Sequence, residues 1–147
     1  MRLVVDTSVL VGALLRKAGR ERLADQRLDL FIPERMWAET QVELPRRITA
    51  FARRHGLDRG SADELVRSCL HAVEANVISI DNAVYAPLED EARERCPRDL
   101  SDWPVVASAL VLSAAIWTTD GDFLGAGVAT WTTDTLQRWL DRQPSGD

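Results

Sequence analysis

The chain has 147 residues, 46% of them hydrophobic and 28% charged, which is enough for one domain with a sizeable core. Its formal net charge of -5 argues against a protein that holds nucleic acid on a broad basic face. Since no apolar run approaches the roughly 20 residues of a membrane span and no signal-peptide pattern opens the chain, we expect a cytoplasmic protein without a membrane partner.

The first predicted element is a short buried parallel strand over residues 2–6, RLVVD, whose apolar run ends in an acid. Asp6 is therefore expected at the carboxyl edge of a sheet. Thr7 and Ser8 follow it. A helix with an apolar face is predicted over residues 9–16, with a break near Gly19.

After a second strand over residues 28–32, a helix with the sequence PERMWAETQVEL is predicted to start at Pro33. Glu39 lies about two turns into it, roughly 9 Å along the axis, and Glu43 is on the same face one turn further. Because this helix starts at the carboxyl edge, Glu39 can reach toward Asp6, and Glu43 less easily.

Pro45 is expected to end or kink this helix, and a second helix is predicted from there to Gly56. Four arginines lie on that second helix. They form either a solvated helix face or a rim that contacts phosphates beside the acidic site. These residues are Arg46, Arg47, Arg53 and Arg54.

The alternation of helices and strands continues to the end of the chain. Ser61 and Glu64 are predicted to form a capping box for a helix that runs to about residue 74. The other predicted elements are a strand over 77–80, a polar helix over 85–95, an edge strand over 128–131 and a helix over 134–140. A single domain is expected over residues 1–142, followed by a flexible tail over residues 143–147.

Residues 102–123, DWPVVASALVLSAAIWTTDGDF, predict an acid, a buried helix, a short buried strand and two more acids. Ser101 or Asp102 can cap the helix. A helix of about eleven residues is roughly 16 Å long, and a strand of four or five residues covers about 13 to 17 Å. The helix of a βαβ unit runs antiparallel to its strands, so these nearly equal lengths bring the chain back to the edge from which the helix started. We therefore expect Asp120 and Asp122 to lie near Asp102.

This pattern predicts an α/β fold, a three-layer α/β/α sandwich with a central, mainly parallel sheet. Taken singly, an acid at the carboxyl edge of the sheet is commonly a turn or cap residue, and for Asp102 in particular a capping role would be a sufficient explanation. Together they repel one another unless one or two Mg²⁺ or Mn²⁺ ions lie between them. The acids predicted at this edge are Asp6, Glu39, Asp102, Asp120 and Asp122.

Other residue types exclude further classes of site. Lys17 is the only lysine, and it lies in neither of the places that a Walker loop or a receiver domain requires. His55 and His71 lack catalytic partners at a recognisable spacing, which argues against a Ser–His or metal–His site. Cys69 and Cys96 have no CxxC spacing and are expected to be reduced structural thiols.

Three segments, VVDTS, IPERMWAETQVELP and RDLSDWPVVASALVLSAAIWTTDGDFLGAGVATWTT, resemble a PIN domain, the metal-dependent nuclease fold of VapC-type toxins. The resemblance extends from residue 2 to about residue 133 and is closest to the PIN_2 branch. It implies a ribonuclease, often a toxin silenced by a cognate antitoxin and often a homodimer. It also implies metal-ligand acids, which in chain order are Asp6, Glu39, Asp102 and Asp120, with Asp122 in support.

The resemblance assigns supporting roles to hydroxyls near the metal, at Thr7 or Ser8 and at Thr118, and leaves Glu43 as an alternative to Glu39. The predicted function is a Mg²⁺- or Mn²⁺-dependent endoribonuclease with RNA as substrate and a small antitoxin as partner. The alternatives are an inactive PIN-fold binding or scaffold module, a metal-dependent phosphatase, and a DNA nuclease of the flap-endonuclease kind. The last normally needs helical clamps for which 147 residues leave no room.

Overall fold

Parallel strands form the centre of the protein, as seen in a computed structural model that describes residues 1–144. The strands within these residues are β1 (Arg2–Val5), β2 (Asp29–Pro33), β3 (Val77–Ile80), β4 (Ala115–Trp117) and β5 (Thr130–Trp131). Their order across the sheet is β3-β2-β1-β4-β5, and every neighbouring pair is parallel. The last strand therefore lies at an edge, as predicted. Of the expected tail, residues 145–147 lie outside the described residues.

Helices cover the sheet. Those within residues 1–144 are α1 (Thr7–Leu14), α2 (Lys17–Leu23), α3 (Glu34–His55), α4 (Arg59–Asn76), α5 (Asn82–Tyr85), α6 (Glu89–Arg95), α7 (Trp103–Leu112) and α8 (Thr133–Arg142). Of the helix predicted over residues 85–95, only α6 forms as an α-helix, because Tyr85 ends α5 and Ala86–Leu88 is a 3₁₀ turn. Helices α1 to α4 pack together, whereas α5 and α6 pack with α7, which contacts β1, β2 and β4. The predicted α/β/α sandwich with a parallel sheet is confirmed. None of these helices combines the length and apolarity that a membrane crossing requires.

The pair β1–β4 occupies the deepest part of the core. Val4 and Val5 on β1, and Ile116 and Trp117 on β4, have no exposed surface. Strands that are covered on both faces consist of continuous apolar runs, which explains the sequence of both elements. Each fully buried side chain of this kind contributes about 1.5 to 3 kcal/mol. The carboxyl ends of these two strands are therefore held firmly side by side.

Helix α3 differs from the prediction. It is one helix from Glu34 to His55 with Pro45 inside it, so of the two predicted outcomes, an end or a kink at Pro45, the end is wrong. A proline ring removes one backbone donor, but the burial of Leu44 and Ile48 on either side keeps the helix continuous. The predicted stop at Gly56 is confirmed, since its φ of 67° is the left-handed conformation that closes helices.

Two local predictions about helix starts and breaks are also wrong. The side chain that caps α4 belongs to Asp58, which accepts a hydrogen bond from the backbone N–H of Ser61 at 2.7 Å, and not to a box of Ser61 and Glu64. The break predicted near Gly19 lies instead at residues 15–16, between α1 and α2, and Gly19 itself lies within α2. There its missing Cβ leaves room for the backbone of Ala13.

Candidate active site

Asp6 stands at the carboxyl end of β1, directly before α1. Its backbone N–H donates to the carbonyl of Trp117 at 3.0 Å, which joins the ends of β1 and β4. Its Oδ2 accepts hydrogen bonds from Thr118 Oγ1 at 2.9 Å and from Ser8 Oγ at 3.2 Å. Burial raises the pKa of Asp6 above 3.8 despite these two bonds, and the charge of Asp120 adds to the rise.

The segment after β4 brings two more aspartates to the same edge. While Thr118 Oγ1 donates to Asp6, it accepts a hydrogen bond from the backbone N–H of Asp120 at 2.9 Å. Asp120 Oδ1 in turn accepts from the backbone N–H of Asp122 at 2.9 Å. One buried hydroxyl therefore fixes acids that come from two different strands.

Asp102 lies at the N-terminal end of α7 with 9% of its surface exposed. It makes no capping hydrogen bond, and within residues 1–144 its buried Oδ2 has no partner, so it does not serve as a helix cap. Burial raises the pKa of Asp102 from 3.8 to about 7, and four nearby carboxylates add to this rise. In decreasing order of effect they belong to Asp99, Asp6, Asp120 and Asp122.

These acids fit the donor set of a hard divalent cation. Every group is a carboxylate or hydroxyl oxygen, the ligand type that Mg²⁺ and Mn²⁺ prefer, and Asp102 offers a buried oxygen without a partner. As placed, no three Asp, Glu, His or Cys side chains of the described chain are grouped closely enough to hold one ion. To hold such an ion, the side chains of Asp6, Asp102 and Asp120 would have to turn toward one another.

The structure does not join Glu39 or Glu43 to the aspartates. Glu39 is exposed on α3, and Glu43 is half-buried and pairs with Arg47 at 3.1 Å. Both line an open groove of about 710 Å³ that includes Arg46. Within residues 1–144, no hydrogen bond or salt bridge connects either glutamate to the cluster. The metal-ligand role of Glu39, with Glu43 as its alternative, stays a prediction.

The other predicted site residues are distributed more widely. Thr7 is buried, and its Oγ1 has no hydrogen-bond partner in the described part of the chain. Arg53 and Arg54 are both exposed near the end of α3. Arg54 lines a second groove, which also contains Ser8. The four arginines therefore do not form one continuous rim.

Two residues beside the cluster were not predicted as part of it. Asp99 accepts hydrogen bonds from the backbone N–H and the hydroxyl of Ser101 at 2.9 and 2.6 Å, which lower its own pKa. Its negative charge is nevertheless the largest charge effect on Asp102. Arg98 Nη1 lies 3.9 Å from Asp122 Oδ1. Both residues precede Asp102 by one short turn, and this proximity in sequence was the available signal.

Comparisons with known proteins agree with this architecture. A family model described as PIN domain matches residues 4–141. The sequence matched none of the curated proteins. Among solved structures, PAE2754 from Pyrobaculum aerophilum is 18% identical with a TM-score of 0.65, and the match covers 97% of this chain and 91% of that one.

Two further solved structures share the fold at similar distance. A toxin-antitoxin complex from Klebsiella pneumoniae is 17% identical with a TM-score of 0.53, over 84% of this chain and 91% of that chain. FitAcB from Neisseria gonorrhoeae is 21% identical with a TM-score of 0.55, over 89% and 96%. At these identities the likeness extends to the fold.

Proposed function

Since the chain belongs to the PIN domain family, we propose that it is a metal-dependent endoribonuclease that hydrolyses phosphodiester bonds of RNA. The observation that carries the proposal is the cluster of Asp6, Asp102 and Asp120, in which burial and acidic neighbours raise the pKa of Asp102 to about 7. Like charges gathered in a buried place cost stability, and strongly perturbed acids of this kind are typical of catalytic sites. Ligand sites of parallel sheets also lie at this edge.

The acids of the cluster would hold the ion, and the neighbouring hydroxyls keep the acids in position. Bound to these acids, Mg²⁺ or Mn²⁺ would offset their repulsion, attract a phosphodiester and acidify the attacking water. Thr118 and Ser8 hold the carboxylate of Asp6 in one orientation through their hydroxyl donors. Thr118 also fixes the loop that carries Asp120.

The reaction proposed for this site is direct hydrolysis. The water gives up a proton as its oxygen forms a bond to phosphorus, the bond between phosphorus and the 3′ oxygen breaks, and the departing 3′ oxygen takes up a proton. The expected products are a 5′-phosphate and a 3′-hydroxyl, because water and not the 2′-hydroxyl attacks. No protein nucleophile is needed for this step.

The function is testable by comparing the parent with aspartate variants in the cleavage of a mixed RNA in Mg²⁺ or Mn²⁺. Asp6→Asn and Asp102→Asn are expected to lose at least about 100-fold of the activity, since even residues behind metal ligands contribute about 10- to 100-fold. Glu39→Gln and Glu43→Gln, compared side by side, identify which glutamate contributes. Asp90→Asn, a change of the same kind at an exposed position on α6, is the control.

The outcome is decisive in both directions. Chelation with EDTA should abolish cleavage, and end-labelling should find 5′-phosphates. Full activity in EDTA, or products that end in a 2′,3′-cyclic phosphate, would contradict the proposal.

The proposal extends to the biological context of the nuclease. We propose a single nuclease domain over residues 1–142 that acts as a homodimeric toxin and is silenced by a small antitoxin protein. The Klebsiella pneumoniae structure with a similar fold is named a toxin-antitoxin complex, which supports this reading. Expression of the natural operon should copurify a small partner, and light scattering of the isolated chain should give twice its mass of 16.4 kDa.

A second candidate is a PIN-fold binding module that has lost catalysis. It is favoured by the exposed position of Glu39 and by the absence, in residues 1–144, of three grouped metal-binding side chains. Calorimetric titration with Mn²⁺ separates the two candidates. Uptake of Mn²⁺ that is lost in Asp102→Asn supports the nuclease, whereas no uptake by the parent supports the binding module.

A further inference from the structure

A groove of about 980 Å³ runs beside α1, and its lining does not include Asp6, Asp102 or Asp120. Its volume is near the upper end of the roughly 300 to 1,000 Å³ that small-molecule pockets occupy. The lining residues that matter here are Ser8, Thr119, Arg16, Arg22, Arg54 and His55. They come from α1, the connection between α1 and α2, α2 itself, the end of α3 and the segment after β4.

One end of this groove meets the cluster. Ser8, which lines the groove, donates its hydroxyl hydrogen bond to Asp6 at 3.2 Å. Thr119, which also lines it, stands between Thr118 and Asp120, the two residues linked by a 2.9 Å hydrogen bond. A polymer that lies in the groove therefore leads to the proposed site of hydrolysis.

The charge of the groove is opposite to that of the whole protein. The chain carries a net charge of -5, whereas three arginines face one acid, Asp134, in the groove lining, a surplus of two positive charges. Arg16 and Arg54 are exposed and form no salt bridge with any described residue. By contrast, Arg47 and several other helix arginines pair with a glutamate one turn away. The groove thus presents cations that lack an internal counter-charge.

An aromatic pair lies at the α3 side of the groove. The rings of Phe51 and His55 are stacked with centroids 4.0 Å apart, and His55 Nδ1 lies 2.9 Å from the carbonyl oxygen of Phe51. The exposed His55 ring is therefore held in place before any ligand binds. Rings held in this way beside cations are the usual means of binding single-stranded nucleic acid, whose bases stack on them.

We propose that this groove holds a single-stranded stretch of the RNA substrate, with backbone phosphates on Arg16 and Arg54 and a base on His55. The inference rests on the proposed ribonuclease function and adds the path of the strand. A single strand is favoured over a duplex because only unpaired bases can stack on the ring. Leu15 and Phe51 also line the groove, so a protein segment is the alternative occupant that the test must separate from RNA.

The test measures binding without cleavage. A fluorescein-labelled single-stranded RNA of ten uridines is titrated with the full chain in EDTA, and again in Ca²⁺, by fluorescence anisotropy over a range of salt concentrations. The variants are Arg16→Gln, Arg54→Gln, the double variant and His55→Ala. Arg67→Gln is the matched control, since Arg67 is an exposed arginine on α4 outside the groove.

We expect each groove arginine variant to weaken binding about five- to tenfold and to reduce the slope of log K against log salt by about 0.7. His55→Ala should weaken binding about fivefold, because the ring on which a base stacks is lost. Arg67→Gln should bind as the parent does. Circular dichroism of every variant establishes that it is folded.

Three outcomes overturn the inference: a parent that does not bind the RNA in either buffer, a double variant that binds as the parent does, and a loss of affinity equally large in Arg67→Gln. Capture of an acidic peptide by the groove, with RNA affinity unchanged in the double variant, also overturns it.

Failure of this inference is separable from failure of the proposed function. If Asp6→Asn abolishes cleavage while the groove variants bind normally, the ribonuclease stands and only the path of the strand is wrong.

Discussion

The buried carboxyl of Asp102 should make the stability of this protein fall as the pH rises through the neutral range. Burial and four acidic neighbours raise the pKa of Asp102 from 3.8 to about 7. Between about pH 4 and pH 7, the folded protein therefore keeps a proton on Asp102 that the unfolded chain has already released. Stability from this group is fully present below pH 4 and is lost as the pH approaches 7.

The size of the effect follows from the shift. Each pKa unit corresponds to about 1.4 kcal/mol, so the shift of Asp102 is worth on the order of 4 kcal/mol between pH 4 and pH 8. Solvent screening makes this figure an upper limit. The Asp102→Asn variant has nearly the same shape and no proton to lose. Its free energy of unfolding, relative to that of the parent, should rise by up to this amount over the same interval.

Urea unfolding in EDTA at several pH values measures this difference directly, since a single domain of this size usually unfolds in one transition. Asp90→Asn is the control, because Asp90 is exposed on α6 and is not among the carboxylates that raise the pKa of Asp102. At pH 8, Mg²⁺ should stabilise the parent and leave Asp102→Asn nearly unchanged. Parallel pH profiles for parent and Asp102→Asn would refute the reasoning.

Two other predictions concern single contacts. Thr118→Val removes the buried donor to Asp6 and should lower the free energy of unfolding by about 1 to 3 kcal/mol and the rate of RNA cleavage by at least tenfold. Thr118→Ser keeps the hydroxyl and should restore most of both, so equal losses in the two variants would exclude the hydroxyl as the cause. Gly19→Ala places a methyl group against the backbone of Ala13 and should cost about 2 kcal/mol or more, whereas Gly12→Ala, with open space around it, should stabilise α1 by about 0.5 to 1 kcal/mol. Thermal unfolding of the two glycine variants checks the contrast, and similar midpoints would contradict it.

The stretch from α7 to the loop after β4 shows what a sequence can predict. Helix and strand lengths follow from the rise per residue, and a parallel connection returns the chain to the edge from which it left. The structure has ten residues in α7 and three in β4. It brings Asp102 close enough to Asp6 and Asp120 for their charges to raise its pKa. The convergence needs no tertiary detail, whereas the catalytic roles of these acids stay predictions.

Helix α3 shows where such reasoning fails. Local preference says that Pro45 ends a helix, but packing of Leu44 and Ile48 against the core outweighs the lost hydrogen bond. The orientation of Glu39 depends on how the helix is rotated about its axis, and each residue differs from the next by about 100°. Thr40 is fully buried and Glu39 is exposed, although they are adjacent. Only tertiary packing fixes that rotation.

The hydrogen bond between Thr118 and Asp6 spans 112 residues of chain, and this span determines when the site can form during synthesis. A ribosome that adds about 5 to 20 residues per second needs roughly 6 to 22 s to cover that interval. Until then Asp6 lacks the hydroxyl donor of Thr118 and the acids that follow β4. The acidic cluster can therefore assemble only after the segment from Asp102 to Asp120 has left the ribosome, so any chemistry that depends on the cluster belongs to the released domain and not to the growing chain.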